Sequence, residues 1–353
     1  MISDETLKEI LMHAVQAPSG DNSQPWEFEL GQDTISIFNL PERDATLYNF
    51  RQQGSYLAHG AVVENIVIVG SHFGYRASVQ PFPGETNCTA RVKFTQSNST
   101  DEGLYSAIQK RATNRKPYEI VPLQSADRIA IEESILNVLD ISLFIVEDRK
   151  KIEQLAGALS SNERLLMENR YLHDFLFGMI RWTREAELEK PGLYIDTMEL
   201  PPPVRFLFRY ILCRWPLVCL LNIIGFSRLL PKQTVSLYQA CSAVCAIVIK
   251  NLDNTSFLNA GRALQRLWLI ATHRKLSLQP ITAMPYLARR VQAGEANMFS
   301  KKHIDLIMQG HKQIADAFGI TSDDHIAMLF RIGYDDLPTA YSVKLQPVIR
   351  LKV

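Results

Sequence analysis

Arg111, Thr113 and Arg115 occupy alternate positions in the run RATNR. On an extended backbone, alternate side chains point to one side. Two guanidiniums and a hydroxyl on one face suit an anion with several oxygens, most simply a phosphate, because the planar guanidinium donates in pairs to such oxygens. A solvated basic loop is the competing reading; Lys110 and Lys116 point elsewhere. A second stretch with chemical character is Ala17–Trp26, APSGDNSQPW. Pro18, Ser19, Gly20, Asp21, Asn22 and Pro25 make it a loop of defined backbone shape. It serves either as a plain helix-to-strand connection or as a cradle for a planar polar ligand. As a cradle it offers the side chains of Ser19 and Asn22 and the backbone amides of Gly20 and Asp21. Asp21 itself reads as a cap of the loop through an Asx turn.

The surrounding periodicity says what positions these residues. Asp4–Gln16 has an amphipathic helical pattern that Ser3 or Asp4 can cap. Trp26–Leu30 and Thr34–Asn39 alternate as an antiparallel pair around Gly31-Gln32. Gly54–Tyr75 is strongly apolar with few charges and reads as the central helix of a core. Ser78–Phe82 and Ala90–Thr95 read as strands, and Ser97–Gly103 as a polar break. Leu104–Lys110 and Ala126–Val138 are predicted helical, Ile141–Val146 a strand, and Arg149–Leu188 a long helical region. Glu189–Pro203 is broken by prolines and reads as a long loop, a common form for a functional cover. Thr234–Ala240 leads into a buried strand at Ala243–Ile249. Ala260–Arg274 is a helix, Ser277–Ile281 a strand, His303–Ala317 a helix and Ile326–Tyr334 a strand before an extended tail. Trp26, Trp182, Trp215 and Trp268 read as packing residues.

Composition narrows the function classes. The chain has 353 residues, 46% of them hydrophobic, and a net charge of +1, an ordinary globular balance that gives nucleic-acid binding no support. Five cysteines at no zinc-like spacing, with no signal-peptide pattern, point to reduced thiols and a cytoplasmic protein. Eight scattered histidines give no metal site. Phe206–Phe226 is long enough to span a membrane, but Arg209, Arg214 and Pro216 fall inside it. It reads as a buried or lid-forming helical pair, with peripheral membrane contact as the alternative.

Two segments echo each other. Gly60–Phe82 and Gly261–Ile281 align Gly60 with Gly261 and His72 with His273, and both end in a strand carrying Gln-Pro. The echo predicts an internal duplication: a first half over 1–103 and a second over 104–353, with an insertion at about 149–232. The APSGDNSQPW loop occurs only in the first half and RATNR only in the second. One composite site per chain follows, built from both halves as in a two-fold dimer.

Taken together, APSxxNxQPW after a first helix, RxTNRxPY opening a second unit, AGRALQRLWLIA in a core helix and a late RIGY before a basic tail resemble the nitroreductase-like flavin fold. More narrowly, they resemble its longer, duplicated Acg-type members. The resemblance implies an α+β pseudo-dimer of mixed or antiparallel sheets and core helices, binding FMN between like units. It implies that Arg111, Thr113 and Arg115 hold the phosphate and ribityl end, and that Pro18, Ser19, Gly20 and Asn22 line the isoalloxazine, with Gln24 behind them. Thr282 and Ala283 would present backbone amides near the reactive edge. Lys344 would join the phosphate grip, weakened because Ser342 stands where the family often has a second basic residue. In this setting the charge of Asp21 has a second reading, raising the energy of reduced anionic flavin. No acid–base residue is required, so no catalytic side chain is named. No G-x-G-x-x-G follows a strand, so NAD(P)H is expected as a transient donor. The implied activity is reduction of a flat small-molecule acceptor, a quinone or nitroaromatic, by a monomeric pseudo-dimer or a homodimer. The alternatives are a flavin-sequestering protein closed by the Glu189–Pro203 lid, and a membrane-peripheral structural protein.

Overall fold

Two 20-residue helices, Gln53–His72 and Asn254–His273, cross at the centre of the molecule. The structure, a computed structural model, describes residues 2–97, 103–135, 138, 140–321 and 323–351. The helices meet at the two glycines of the sequence echo. A Cβ on Gly60 would lie 1.9 Å from the Leu258 carbonyl oxygen, and one on Gly261 would lie 1.9 Å from that of Leu57. Only glycine permits backbones this close. Next to the crossing, Gln265 Nε2 donates to Asn65 Oδ1 at 2.7 Å, and buried Glu64 pairs with Arg262 and Arg266 at 3.1 Å.

Each central helix has its own four-stranded antiparallel sheet. The first contains β1 (Trp26–Gly31), β2 (Thr34–Asn39), β3 (Tyr75–Pro81) and β4 (Cys88–Gln96), in the order β1-β2-β4-β3. A two-residue parallel pair, β6 (Ile180–Arg181) with β7 (Leu193–Tyr194), lies in the insertion. The second large sheet contains β5 (Ile141–Val146), β8 (Ala243–Ile249), β9 (Ser277–Ile281) and β10 (His325–Gly333), in the order β5-β8-β10-β9. Both sheets therefore run first, second, fourth, third. Register is set at Gly31↔Thr34 in the first hairpin and Gly333↔Ser277 in the second sheet. β8 is buried at every position, which is why AVCAIVI is continuously apolar rather than alternating.

The structure departs from the sequence reading in several places. The first hairpin turns at Gln32-Asp33, with Asp33 at φ 54°, one residue later than expected. The first central helix stops at His72 and β3 starts at Tyr75, because Gly74 takes φ 80° between them. The helical region 149–188 is four helices, Arg149–Leu159, Ser161–Glu168, Arg170–Met179 and Arg184–Glu189. The Asn169 and Thr183 side chains each cap a new start, competing with continuation of the helix. Thr234–Ala240 is not an approach to a strand but the end of a helix, Phe226–Gln239. The helix Ala283–Gln292 was not anticipated at all. The proposed break at 97–103 and the end of the predicted helix near 138 fall largely on residues outside those described.

The apolar stretch forms a bent pair, Pro202–Leu212 and Trp215–Ile223, at 105°. Among the described residues, no single helix is long and apolar enough to cross a membrane. The tail leaves β10 and returns to the first half, where Phe28 N donates to the Val348 carbonyl at 2.9 Å and Arg350 N donates to that of Phe28 at 2.8 Å.

Candidate functional site

Two cavities share one wall at the junction of the halves. One, of about 310 Å³, has a basic lining; the other, of about 300 Å³, has a mainly apolar lining. Pro18, Ser19, Asp21, Thr113 and Arg115 face both. The APSGDNSQPW loop and RATNR thus meet from opposite halves. The loop carries three non-glycine residues in left-handed backbone, Asp21, Asn22 and Gln24 at φ 47°, 58° and 49°. Such conformations persist only where the surroundings enforce them, and they cluster at binding sites.

The basic cavity is lined by Arg111, Asn22 and Lys344, which arrives on the tail. Arg111, Thr113 and Arg115 face the cavity as expected, but Ala112 lines it too, so the alternation is not strict. Asn114 is buried behind them, donating to Ser277 Oγ at 2.9 Å and to the Asp336 carbonyl at 2.8 Å. Arg111 donates through Nη2 to the Gln16 carbonyl at 2.9 Å, and its Nε has no partner. Its guanidinium lies 4.5 Å over the Trp268 ring. Lys344 Nζ donates to the Ala17 carbonyl and to Asn22 Oδ1, both at 2.9 Å. Among the described residues neither cation has an ion-pair partner. Burial holds Arg111 down to about 10, and burial together with the Arg111 charge pushes the Lys344 ammonium well below its ordinary range. Two like charges side by side, Arg111 buried and Lys344 half-buried, are costly, and an anion between them would offset that cost.

Two expected contacts, those of Asn22 and Arg115, are placed differently, while Gln24 stands behind the loop as expected. Asn22 lines the basic cavity rather than the apolar one, and its Nδ2 donates to the Val343 carbonyl at 2.9 Å. Both ends of its amide are occupied by the tail, so it positions Lys344. Gln24 reaches neither cavity; its Oε1 accepts from Leu345 N at 2.8 Å, fastening the tail to the loop. Arg115 donates to the Thr197 carbonyl at 2.8 Å and faces Asp21, so it stands between the two cavities.

In the apolar cavity the floor is Trp268, Leu264 and Met328 from the second half, and Leu57 and Ala58 come from the first central helix. Thr282 and Ala283 line it at the start of the helix Ala283–Gln292. The first amides of a helix have no partner within it and favour negative charge, so this end is built to donate. Leu159, Leu166, Phe175 and Leu176 of the insertion form the opposite wall.

Sequence reasoning missed an acidic side to this cavity. Asp44, at the end of the turn Pro41–Asp44, lines it beside Asp21 and is 4% exposed. Burial and the Asp21 charge push its carboxyl up to about 7, against a hydrogen bond from Ser55. Burial raises Asp21 as well, opposed by Arg115. Nearby, Tyr238 OH donates to Glu163 Oε1 at 3.3 Å, and burial pushes Glu163 up to about 8. No local signal in PERD marks Asp44 as buried.

No family model matches the chain. It is similar to an uncharacterised Mycobacterium tuberculosis protein, MT1398, at 25% identity over 286 residues, 78% of this chain and 38% of that protein. It is also similar to two proteins of that organism provisionally named NAD(P)H nitroreductases. Rv3131 is 27% identical over 127 residues, 35% of this chain and 37% of that protein, and acg is 26% identical over 197 residues, 53% and 56%. The chain thus spans less than two thirds of the length of these relatives. Similar solved structures include a Bacteroides fragilis nitroreductase with bound FMN, at 11% identity, covering 69% of this chain and 94% of that one, TM-score 0.38. Another is an iodotyrosine deiodinase bound to FMN and 3-iodo-L-tyrosine, at 14% identity, 71% and 99%, TM-score 0.40. The sequence relatives agree with the resemblance carried by the two motifs: the chain is similar to Acg-type nitroreductases, and its fold is α+β.

Proposed function

We propose that the chain is an FMN-dependent oxidoreductase that passes electrons from NAD(P)H to a flat acceptor, a quinone or nitroaromatic. One observation carries the reading: buried Arg111 and half-buried Lys344 lie together without an ion-pair partner among the described residues, next to a slot lined by Trp268. A phosphate carries about −1.5 to −2 charge at neutral pH and fits that end. FMN, when bound, supplies the two-electron transfer itself. In sum, NAD(P)H, one proton and a quinone become NAD(P)⁺ and a quinol.

The chain's own residues would do the rest. Arg111, Lys344 and Thr113 hold the phosphate and ribityl end, with Arg115 between the cavities. Pro18, Ser19 and Gly20 line one side of the ring, and the amides at Thr282 and Ala283 face its polar edge. Asp44, its carboxyl pushed up to about 7, keeps a substantial protonated share near neutral pH and can hand a proton to the acceptor, which revises the expectation that no acid is present. The names of the relatives support the donor. The equal strand orders support division into halves at about 103/104, and hence a site complete within one chain. We place the protein in the cytoplasm.

A second reading, flavin sequestration, is favoured by one feature: insertion residues Leu166, Phe175 and Leu176 cover the cavity where an acceptor would enter. An anaerobic absorbance spectrum before and after NADPH separates the two. Flavin bands that bleach support the enzyme; bands that persist support sequestration. A colourless protein that cannot be reconstituted with FMN defeats both.

A further inference from the structure

We propose that the bent helical pair docks the protein onto an anionic lipid surface, and that the acceptor is a lipid-soluble quinone taken from that surface. The first observation is charge. From Leu200 to Leu252 the chain has no aspartate or glutamate, while Arg205, Arg209, Arg214, Arg228, Lys232 and Lys250 are cationic. Arg205 is tied to Asp196 at 2.5 Å, but Arg209, Arg214, Arg228 and Lys232 are exposed. The second is apolar exposure. Ile223 and Ile224, at the end of the second arm, are 80% and 79% exposed, and Phe206 and Tyr210 on the first arm, Leu220 on the second and Leu229 on the helix that follows are exposed too. Exposed apolar side chains interleaved with cations are the composition of an interfacial anchor.

The geometry favours lying on a bilayer over crossing it. The two arms hold 11 and 9 residues, about 16 and 14 Å of helix, against a hydrocarbon core of about 30 Å. They diverge at 105°. The inner side of the pair is already committed, because Leu212 and Val218 are fully buried against Met167. The outer side remains for the lipid. Continuity with the site supplies the substrate class: Leu166 packs on this anchor cluster and also lines the apolar cavity. Leu166 thus joins the packing of the anchor to the wall of the cavity that would take the acceptor. The quinone assignment rests on the oxidoreductase reading; the docking does not.

The test uses the full chain and flotation with vesicles of phosphatidylcholine alone or mixed with phosphatidylglycerol. Flotation is expected with the anionic vesicles and not the neutral ones, and is expected to fall at about 0.5 M salt. I223D/I224D should abolish it with an unchanged melting curve, and R209E/R228E should weaken it. Failure to float with anionic vesicles, or undiminished flotation of I223D/I224D, overturns the docking. So does a wild-type dimer that I223D/I224D converts to monomer without any lipid binding, since the patch then meets a second copy. For the substrate, reduction of a long-tailed quinone in anionic vesicles is compared with that of a short water-soluble quinone. I223D/I224D should slow only the former, by about tenfold or more. Equal effects on both overturn the lipid-soluble assignment. Flotation with no reduction of either quinone overturns the oxidoreductase reading and leaves the docking standing.

Discussion

Lys344 is a half-buried ammonium with two neutral oxygen partners and Arg111 beside it, an arrangement that costs stability unless an anion joins it. Lys344→Met should therefore act in opposite directions on two measurements. FMN affinity, followed by quenching of flavin fluorescence, should fall by about 1.5–3 kcal/mol, the size of a charge-assisted contact. The melting temperature of the flavin-free protein should rise, because a half-buried charge beside Arg111 is replaced by an apolar chain. A residue of purely structural value would lower both. Asp44 makes a pH prediction. Its folded carboxyl titrates near 7, above its ordinary value of 3.8. The folded state therefore binds the extra proton between those values, and this contribution to stability is full below about pH 4 and lost as pH rises through 7. Asp44→Asn should remove that slope, so the difference between variant and wild-type melting temperatures should grow from pH 4 to pH 7. A constant difference would show that Asp44 is ionised throughout.

At the scale of elements, the reciprocal glycines decide how the central helices meet. Gly60→Ala and Gly261→Ala each place a methyl 1.9 Å from a backbone carbonyl oxygen of the other helix. Urea unfolding should show a loss of about 3 kcal/mol or more for each, the upper range of overpacking, because backbone rather than a side chain must move. Gly157 is the control: it lies within the helix Arg149–Leu159 and a Cβ there meets nothing within 4 Å. Gly157→Ala should stabilise by about 0.5–1 kcal/mol. Both glycines of the crossing were picked out by the sequence echo. The helix Ala283–Gln292 was not, although its first turn lies at the site. Its Met284, Pro285, Tyr286, Leu287, Ala288 and Arg289 are all buried in one run, so its period is hidden.

For the whole molecule, the asymmetry between the halves matters more than their likeness. The sheets share one strand order, yet the loop, the cations and the tail each occur once. One FMN per chain is the expected stoichiometry, read as flavin absorbance against protein concentration after reconstitution. Two per chain would require a second cradle around the symmetry-related position, and one per two chains would require a site shared between copies. The tail completes the asymmetry, since it carries Lys344 from the end of the second sheet onto the first half and continues alongside β1.

Local pattern determined much of this protein. Alternation located Arg111, Thr113 and Arg115 on one face, apolar runs located both central helices and β8, and turn chemistry marked 17–26 as a shaped loop. These are readable because side-chain periodicity reports burial within a few residues of itself. Tertiary structure alone decided which residues meet. Lys344 reaches Asn22 across 322 positions, which turns Asn22 from a ring contact into a support for the cation. Trp268, expected only to pack, lies under Arg111 and floors the cavity. Asp44 lies buried beside Asp21, and Gln24 turns away to the tail. Each of these outcomes depends on the energy of bringing distant charges and polar groups out of water together, which no local spacing encodes.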